Sequence, residues 1–117
     1  MARVLVDSDV FIDHLRGIRR FSPQGDAIHY SVVTRAELFA GRGSEEVAVS
    51  RLLAPFQELP VDRPVAERAG RLRRRKDIRL PDALIAATAI EHDCTLVTRN
   101  RADFAGIRQL RLRDPGQ

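Results

Sequence analysis

"VLVDSDVFID", residues 4–13, passes from an apolar run into Asp7, Ser8 and Asp9 and then into a second apolar stretch closed by Asp13. A short run of Val and Leu that ends this abruptly reads as a buried strand over Arg3–Val6. The spacing behind it predicts a helix over Val10–Leu15 that stops near Gly17. Asp7 and Asp9 then sit together at the junction, where two carboxylates repel each other. Either they are ordinary turn and cap residues, or something positive lies between them.

The same alternation continues along the chain. "AIHYS" (27–31) reads as a second strand, followed by a helix "VVTRAELFAG" that ends at Gly41 or Gly43. Ser44, with Glu46 and Val47 behind it, is placed to cap a further helix reaching Phe56. "ELPV" (58–61) reads as a third strand, and Pro64 suits the first turn of the helix "VAERAGRLRRRK". "LPDALIAATAIEHD" (80–93) is the clearest helix, with Leu84, Ile85, Ala87, Thr88 and Ala89 on its apolar face. "CTLVT" (94–98) reads as a buried strand and "IRQLRL" (107–112) as the last one. Strands alternating with helices predict an α/β fold with a parallel sheet of about four to five strands and helices on both faces. No repeat or linker divides residues 1–117, so a single domain is expected.

Composition narrows the class. With 44% apolar and 31% charged residues, the chain reads as a globular protein. No window reaches the ~18 apolar residues of a membrane span, and no signal-peptide core stands at the start. Cys94 is the only cysteine, so no intrachain disulfide is expected and a reducing, cytoplasmic setting is the default. The net charge is +4, and 19 of the 20 basic residues are arginine. That balance favours a polyanionic partner, because neutralising phosphates releases counterions.

In an open parallel sheet, ligands bind beyond the carboxyl ends of the strands. Asp7 falls just past the first strand, Glu37 in the helix after the second, and Asp82 in the first turn of the 80s helix. Asn100 and Asp103 fall just past "TLVT". Separate segments would thus bring carboxylates and an amide to one edge, a donor set that suits a hard cation such as Mg²⁺ or Mn²⁺. Each residue also has a local reading. Asp9 is a good N-cap, Thr34 and Glu37 match a capping box, Asp82 suits the positive end of a helix dipole, and Asn100 could be a cap.

The stretches "VLVDSDVFID", "SVVTRAELFAG" and "LPDALIAATAIEHDCTLVTRNRADF" resemble, in order and spacing, the PIN-domain ribonucleases, and among them the VapC toxins of bacterial type II toxin–antitoxin pairs. The resemblance runs from Arg3 to about Leu112. It implies a catalytic, metal-binding set of Asp7, Glu37, Asp82 and Asp103, with Asn100 standing where an aspartate is common. Either Asn100 or Asp103, or both through water, would complete the site. Ser8 and Thr34 would orient carboxylates or bind water, and Asp9, often Ser or Asn in the family, would add negative charge. The family further implies Mg²⁺- or Mn²⁺-dependent RNA cleavage, a small cognate antitoxin, and homodimerisation.

"RLRRRKDIR" (71–79) carries six basic residues in nine positions. It is either a solvated helix end, favourable at the negative pole of the dipole, or a phosphate-binding rim of Arg73, Arg74, Arg75, Lys76 and Arg79 leading RNA towards Asp82. With five Phe, one Tyr and no Trp, base stacking is not expected to dominate recognition. His14, His29 and His92 lack zinc-ligand spacing. Two other functions compete. "DSDVF" resembles the nucleophile motif of haloacid-dehalogenase-type phosphatases, but that class needs a later lysine and a paired acid motif, and Lys76 is the only lysine. A non-catalytic module that only binds antitoxin or RNA is the other, and the presence of Asp7, Glu37 and Asp82 together argues against it.

Overall fold

The computed structural model describes residues 1–41 and 45–116. In chain order the elements are β1 (Arg3–Val6), α1 (Ser8–Leu15), β2 (Ala27–Ser31), α2 (Val32–Ala40), α3 (Glu46–Leu53) and β3 (Gln57–Leu59). They continue as α4 (Arg63–Arg75), α5 (Leu80–Glu91), β4 (Thr95–Val97), α6 (Arg101–Phe104) and β5 (Leu112–Arg113). The strands form one five-stranded sheet in the order β3-β2-β1-β4-β5, parallel throughout. This is the α/β architecture expected from the alternation of elements.

β1 is central because it can be buried on both sides. Val4, Leu5 and Val6 are all fully buried, and neighbouring residues of a strand point to opposite faces. Leu5 and its register partner Leu96 pack with Val65, Ala69 and Ile85 of α4 and α5. Val4, Val6 and Val97 pack on the other face against Phe11, Leu38, Val49 and Leu53 of α1, α2 and α3. α5 is buried nearly all round, from Ala83 to Ala89, and its alanines let α4 lie close along it. Among the described residues, no helix is long and apolar enough to cross a membrane.

From β1 the chain moves outward through β2 to β3, then returns to the far side of β1 for β4 and continues to β5. The direction reverses between β1 and β4. The carboxyl ends of those two strands therefore flank the topological switch point, where a crevice opens in such sheets.

Three local expectations are corrected. Asp9 does not cap α1. Asp7 does, with an extended backbone (φ −73°, ψ 155°) and its carboxylate accepting from Ser8 N, so the helix begins at Ser8 rather than Val10. Thr34 does not cap α2 either. Ser31 accepts from Val33 N at 3.0 Å, and Thr34 lies inside the helix, fully buried. The last strand is confined to Leu112–Arg113, because Gly106 (φ 80°) and Gln109 (φ 70°) turn the chain through left-handed conformations incompatible with extension. The cap expected at Ser44 and the helix end considered at Gly43 lie outside the described residues. α2 ends at Ala40, and the Gly41 N–H closes it on Leu38 O.

Candidate functional site

The site is built where β1 and β4 end side by side. Asp7 N donates to Val97 O at 2.9 Å, which extends the β1–β4 pairing by one residue and seats the Asp7 carboxylate beside Thr98. Thr98, fully buried, donates to Asp7 Oδ2 at 2.8 Å and lies 3.3 Å from Asp9 Oδ2. One hydroxyl proton is thus shared between two carboxylates. The Thr98 oxygen in turn accepts from Asn100 N at 3.1 Å.

The second contribution comes from α2. Ser8 Oγ lies 2.6 Å from Glu37 Oε1 and 2.9 Å from Thr34 Oγ1. A carboxylate only accepts, so the Ser8 proton goes to Glu37 and Ser8 accepts from Thr34. Glu37 is therefore not half of a capping box. Its carboxylate is carried to the head of α1, against Ser8.

Asp9 and Asp13 meet a cation. Arg99 Nη1 contacts both Asp13 oxygens, at 2.7 and 3.0 Å, and Arg99 N donates to Asp9 Oδ2 at 3.2 Å. Asn100 Nδ2 donates to the same Asp9 oxygen at 2.9 Å. The carboxylate of Asp9 is taken up by the segment after β4, and the amide of Asn100 is spent on Asp9. Thr98 and Arg99 are members of the site that residue order alone does not single out. The unexplained acid at Asp13 is a signal for a cation, but nothing local points to Arg99.

Asp7 has no such compensation in its hydrogen bonds, whose donors are the neutral Ser8 N–H and Thr98 hydroxyl. Burial, and next the charge of Asp9, push its carboxyl up to about 7; Asp82 adds to this, while the two hydrogen bonds oppose it. Asp9 is also raised by burial, opposed by Arg99. Asp82 is raised by burial too, and there Arg79 opposes while Glu37, Asp103 and Asp9 add to the effect. Asp7 thus feels the charges of Asp9 and Asp82, and Asp82 feels those of Glu37, Asp103 and Asp9. Asp103 stands exposed on α6.

Among the described residues, no three acidic, imidazole or thiol groups stand close enough together to hold a metal ion between them. An open edge that leaves ligand positions to water and phosphate is the usual arrangement for Mg²⁺. The donors are oxygens only, and a buried carboxylate with neutral partners is what a hard cation would relieve. The oxygen donors are of the type such an ion takes, with water and phosphate supplying the remaining positions. The histidines lie elsewhere: His14 Nδ1 accepts from Phe21 N, and His29, buried, faces Val4 O and Ala27 O.

The basic run divides. Arg73 Nε donates to Ile78 O at 3.0 Å and ties down the link between α4 and α5. Arg74, Arg75 and Arg79 are exposed, and Arg79 is the cation acting on Asp82.

Residues 4–109 match the family model of the PIN domain. The chain belongs to the PIN-domain family. It is 41% identical to Ribonuclease VapC10 of Mycobacterium tuberculosis, with 92% of this chain and 90% of that protein covered. It is 35% identical to Ribonuclease VapC19 of the same organism, over 86% and 90%. Among solved structures it resembles a toxin–antitoxin complex from Klebsiella pneumoniae, with a TM-score of 0.81, 33% identity, and 96% and 97% of the two chains covered. It is a PIN protein of VapC type, and the dehalogenase-like reading of "DSDVF" is set aside.

Proposed function

We propose that this PIN protein is the endoribonuclease toxin of a type II toxin–antitoxin module, hydrolysing RNA phosphodiester bonds with Mg²⁺ or Mn²⁺ at the acidic edge. The observation that carries the reading is Asp7, a buried carboxylate with neutral hydrogen-bond donors at the switch point, surrounded by the charges of Asp9, Asp82 and their neighbours. Asp7, Glu37 and Asp82 would hold the ion, with Asp103 completing the set. Asn100 serves that site through Asp9, since its amide N–H is directed there.

The chemistry a bound divalent ion supplies is activation of water and neutralisation of charge on the phosphate. The chain's own residues prepare the place. Thr98 fixes the Asp7 carboxylate, Ser8 fixes Glu37, and Thr34 fixes Ser8. Arg99 anchors Asp9 and Asp13, so that the segment after β4 is tied to α1. Arg74, Arg75, Lys76 and Arg79 supply positive charge on the approach to Asp82, with Arg73 holding the link between the helices.

The partners under this reading are an RNA substrate, a small cognate antitoxin that suppresses the activity, and a second copy of the chain, in the cytoplasm. Incubating the purified protein with total RNA, with Mg²⁺ or with EDTA, tests it. Metal-dependent cleavage by the wild type and none by Asp7→Asn supports the reading. RNA bound but not cut under every metal condition would make the protein a binding module instead.

A further inference from the structure

Between α4 and the turn at residues 106–109 runs a groove of about 660 Å³, lined by Arg68, Arg71, Arg74, Arg75, Lys76 and Arg108. Arg68, Arg71 and Arg75 follow the spacing that puts residues on one side of a helix, and together span about 10 Å at 1.5 Å per residue. Arg108 faces them from the other wall, carried by the turn that Gly106 and Gln109 make possible. Arg68 is held by Glu91 and by Gln109. Arg71, Arg74, Arg75, Lys76 and Arg108 form no ion pair among the described residues. A concave surface with cations on both walls and so little internal neutralisation attracts anions such as phosphates.

We propose that this groove is an exosite for the RNA backbone, gripping the substrate at a distance from the bond that is cut. The proposal rests on the ribonuclease reading above. The groove's cations run along α4 to Lys76, and the short link to α5, which carries the exposed Asp77 before Arg79, leads on to Asp82, so a bound strand is directed towards the acidic edge. Binding here is sequence-independent, because guanidinium and phosphate meet without reading a base.

Exosite binding separates the hold on long RNA from the cutting of short RNA. In EDTA, anisotropy of a labelled transcript of transfer-RNA length is followed against KCl concentration for the wild type and for Arg71→Ala/Arg108→Ala. Both residues are exposed, and Arg16→Ala/Arg51→Ala removes the same charge elsewhere. The groove variant is expected to weaken binding about tenfold and to lower the salt slope by roughly two, one for each lost phosphate contact. The control variant stays near wild type. With Mg²⁺, the groove variant raises KM for the long transcript and leaves kcat and the cleavage of a hexanucleotide near wild type.

Equal binding and equal slope in the groove and control variants would overturn the exosite. So would a loss confined to duplex DNA or to suppression by the antitoxin, since each assigns the groove to another occupant. If the wild type cleaves no RNA, the ribonuclease reading fails, while the binding comparison in EDTA still accepts or rejects the groove independently.

Discussion

Ser8 and Glu37, 29 residues apart, share a hydrogen bond of 2.6 Å that joins the head of α1 to the middle of α2. The bond turns a glutamate that could have been a helix cap into a member of the acidic edge. Its removal in Ser8→Ala frees the Glu37 carboxylate to rotate and leaves the fully buried Thr34 hydroxyl without that partner. A hydrogen bond to a charged group contributes about 1.5–3 kcal/mol, so activity at low Mg²⁺ is expected to fall roughly ten- to a hundredfold. The Mg²⁺ concentration for half-maximal cleavage should rise, and high Mg²⁺ should restore part of the rate. An unchanged Mg²⁺ titration would remove Ser8 from the site.

Asp7 makes the metal-free protein sensitive to pH. Its carboxyl lies near 7 in the fold against an ordinary 3.8, so the folded protein binds the proton more tightly than the unfolded chain does. Its contribution is most favourable below pH 3.8, declines as pH rises from there to about 7, and is flat above. Asp7→Asn should therefore raise the Tm in EDTA at pH 8, because Asn caps the helix as well as Asp and needs no ionised form. Near pH 4 the gain should vanish. Mg²⁺ should stabilise the wild type and do little for the variant. A variant less stable than wild type at pH 8 in EDTA contradicts the strained carboxylate.

Arg99 joins the strand end to α1 through Asp13, whose side chain is 10% exposed. Arg99→Ala leaves that carboxylate buried without its partner and should destabilise the protein by about 1–3 kcal/mol in urea unfolding. Adding Asp13→Asn should recover part of the loss, since the double variant no longer buries an unpaired charge. Additive losses in the two variants would show that the pair is not coupled.

These relationships also show how far residue order alone reaches. β1 and β2 are legible to the residue, because the Val/Leu run of β1 is cut by Asp7 and the short "AIHYS" stretch is cut by the start of the "VVTRAEL" helix. The caps are misread for the opposite reason. Asp7 and Asp9, like Ser31 and Thr34, offer the same local chemistry, and only partners far along the chain decide between them. Thr98 and Arg99 claim Asp9 across 89 and 90 residues, and Ser8 claims Glu37. The acids at the edge are legible because a parallel sheet must bring its strand ends together. The roles of Thr98 and Arg99 are not, since neither residue type is distinctive and each acts through a contact that exists only in the fold. The last strand is overextended because left-handed Gln109, unlike Gly106, carries no sequence signal strong enough to end "IRQLRL" early.

The acidic edge as a single metal-dependent ribonuclease centre is tested most directly by one series of cleavage rates. RNA hydrolysis is measured against Mg²⁺ concentration for the wild type, Asp7→Asn, Glu37→Gln and Asp82→Asn, each first shown to be folded by circular dichroism. The account predicts cleavage by the wild type that EDTA abolishes and Mg²⁺ restores, and no cleavage by any of the folded variants at Mg²⁺ levels that saturate the wild type. Wild-type rates in any one of the three, or cleavage that persists in EDTA, would contradict it.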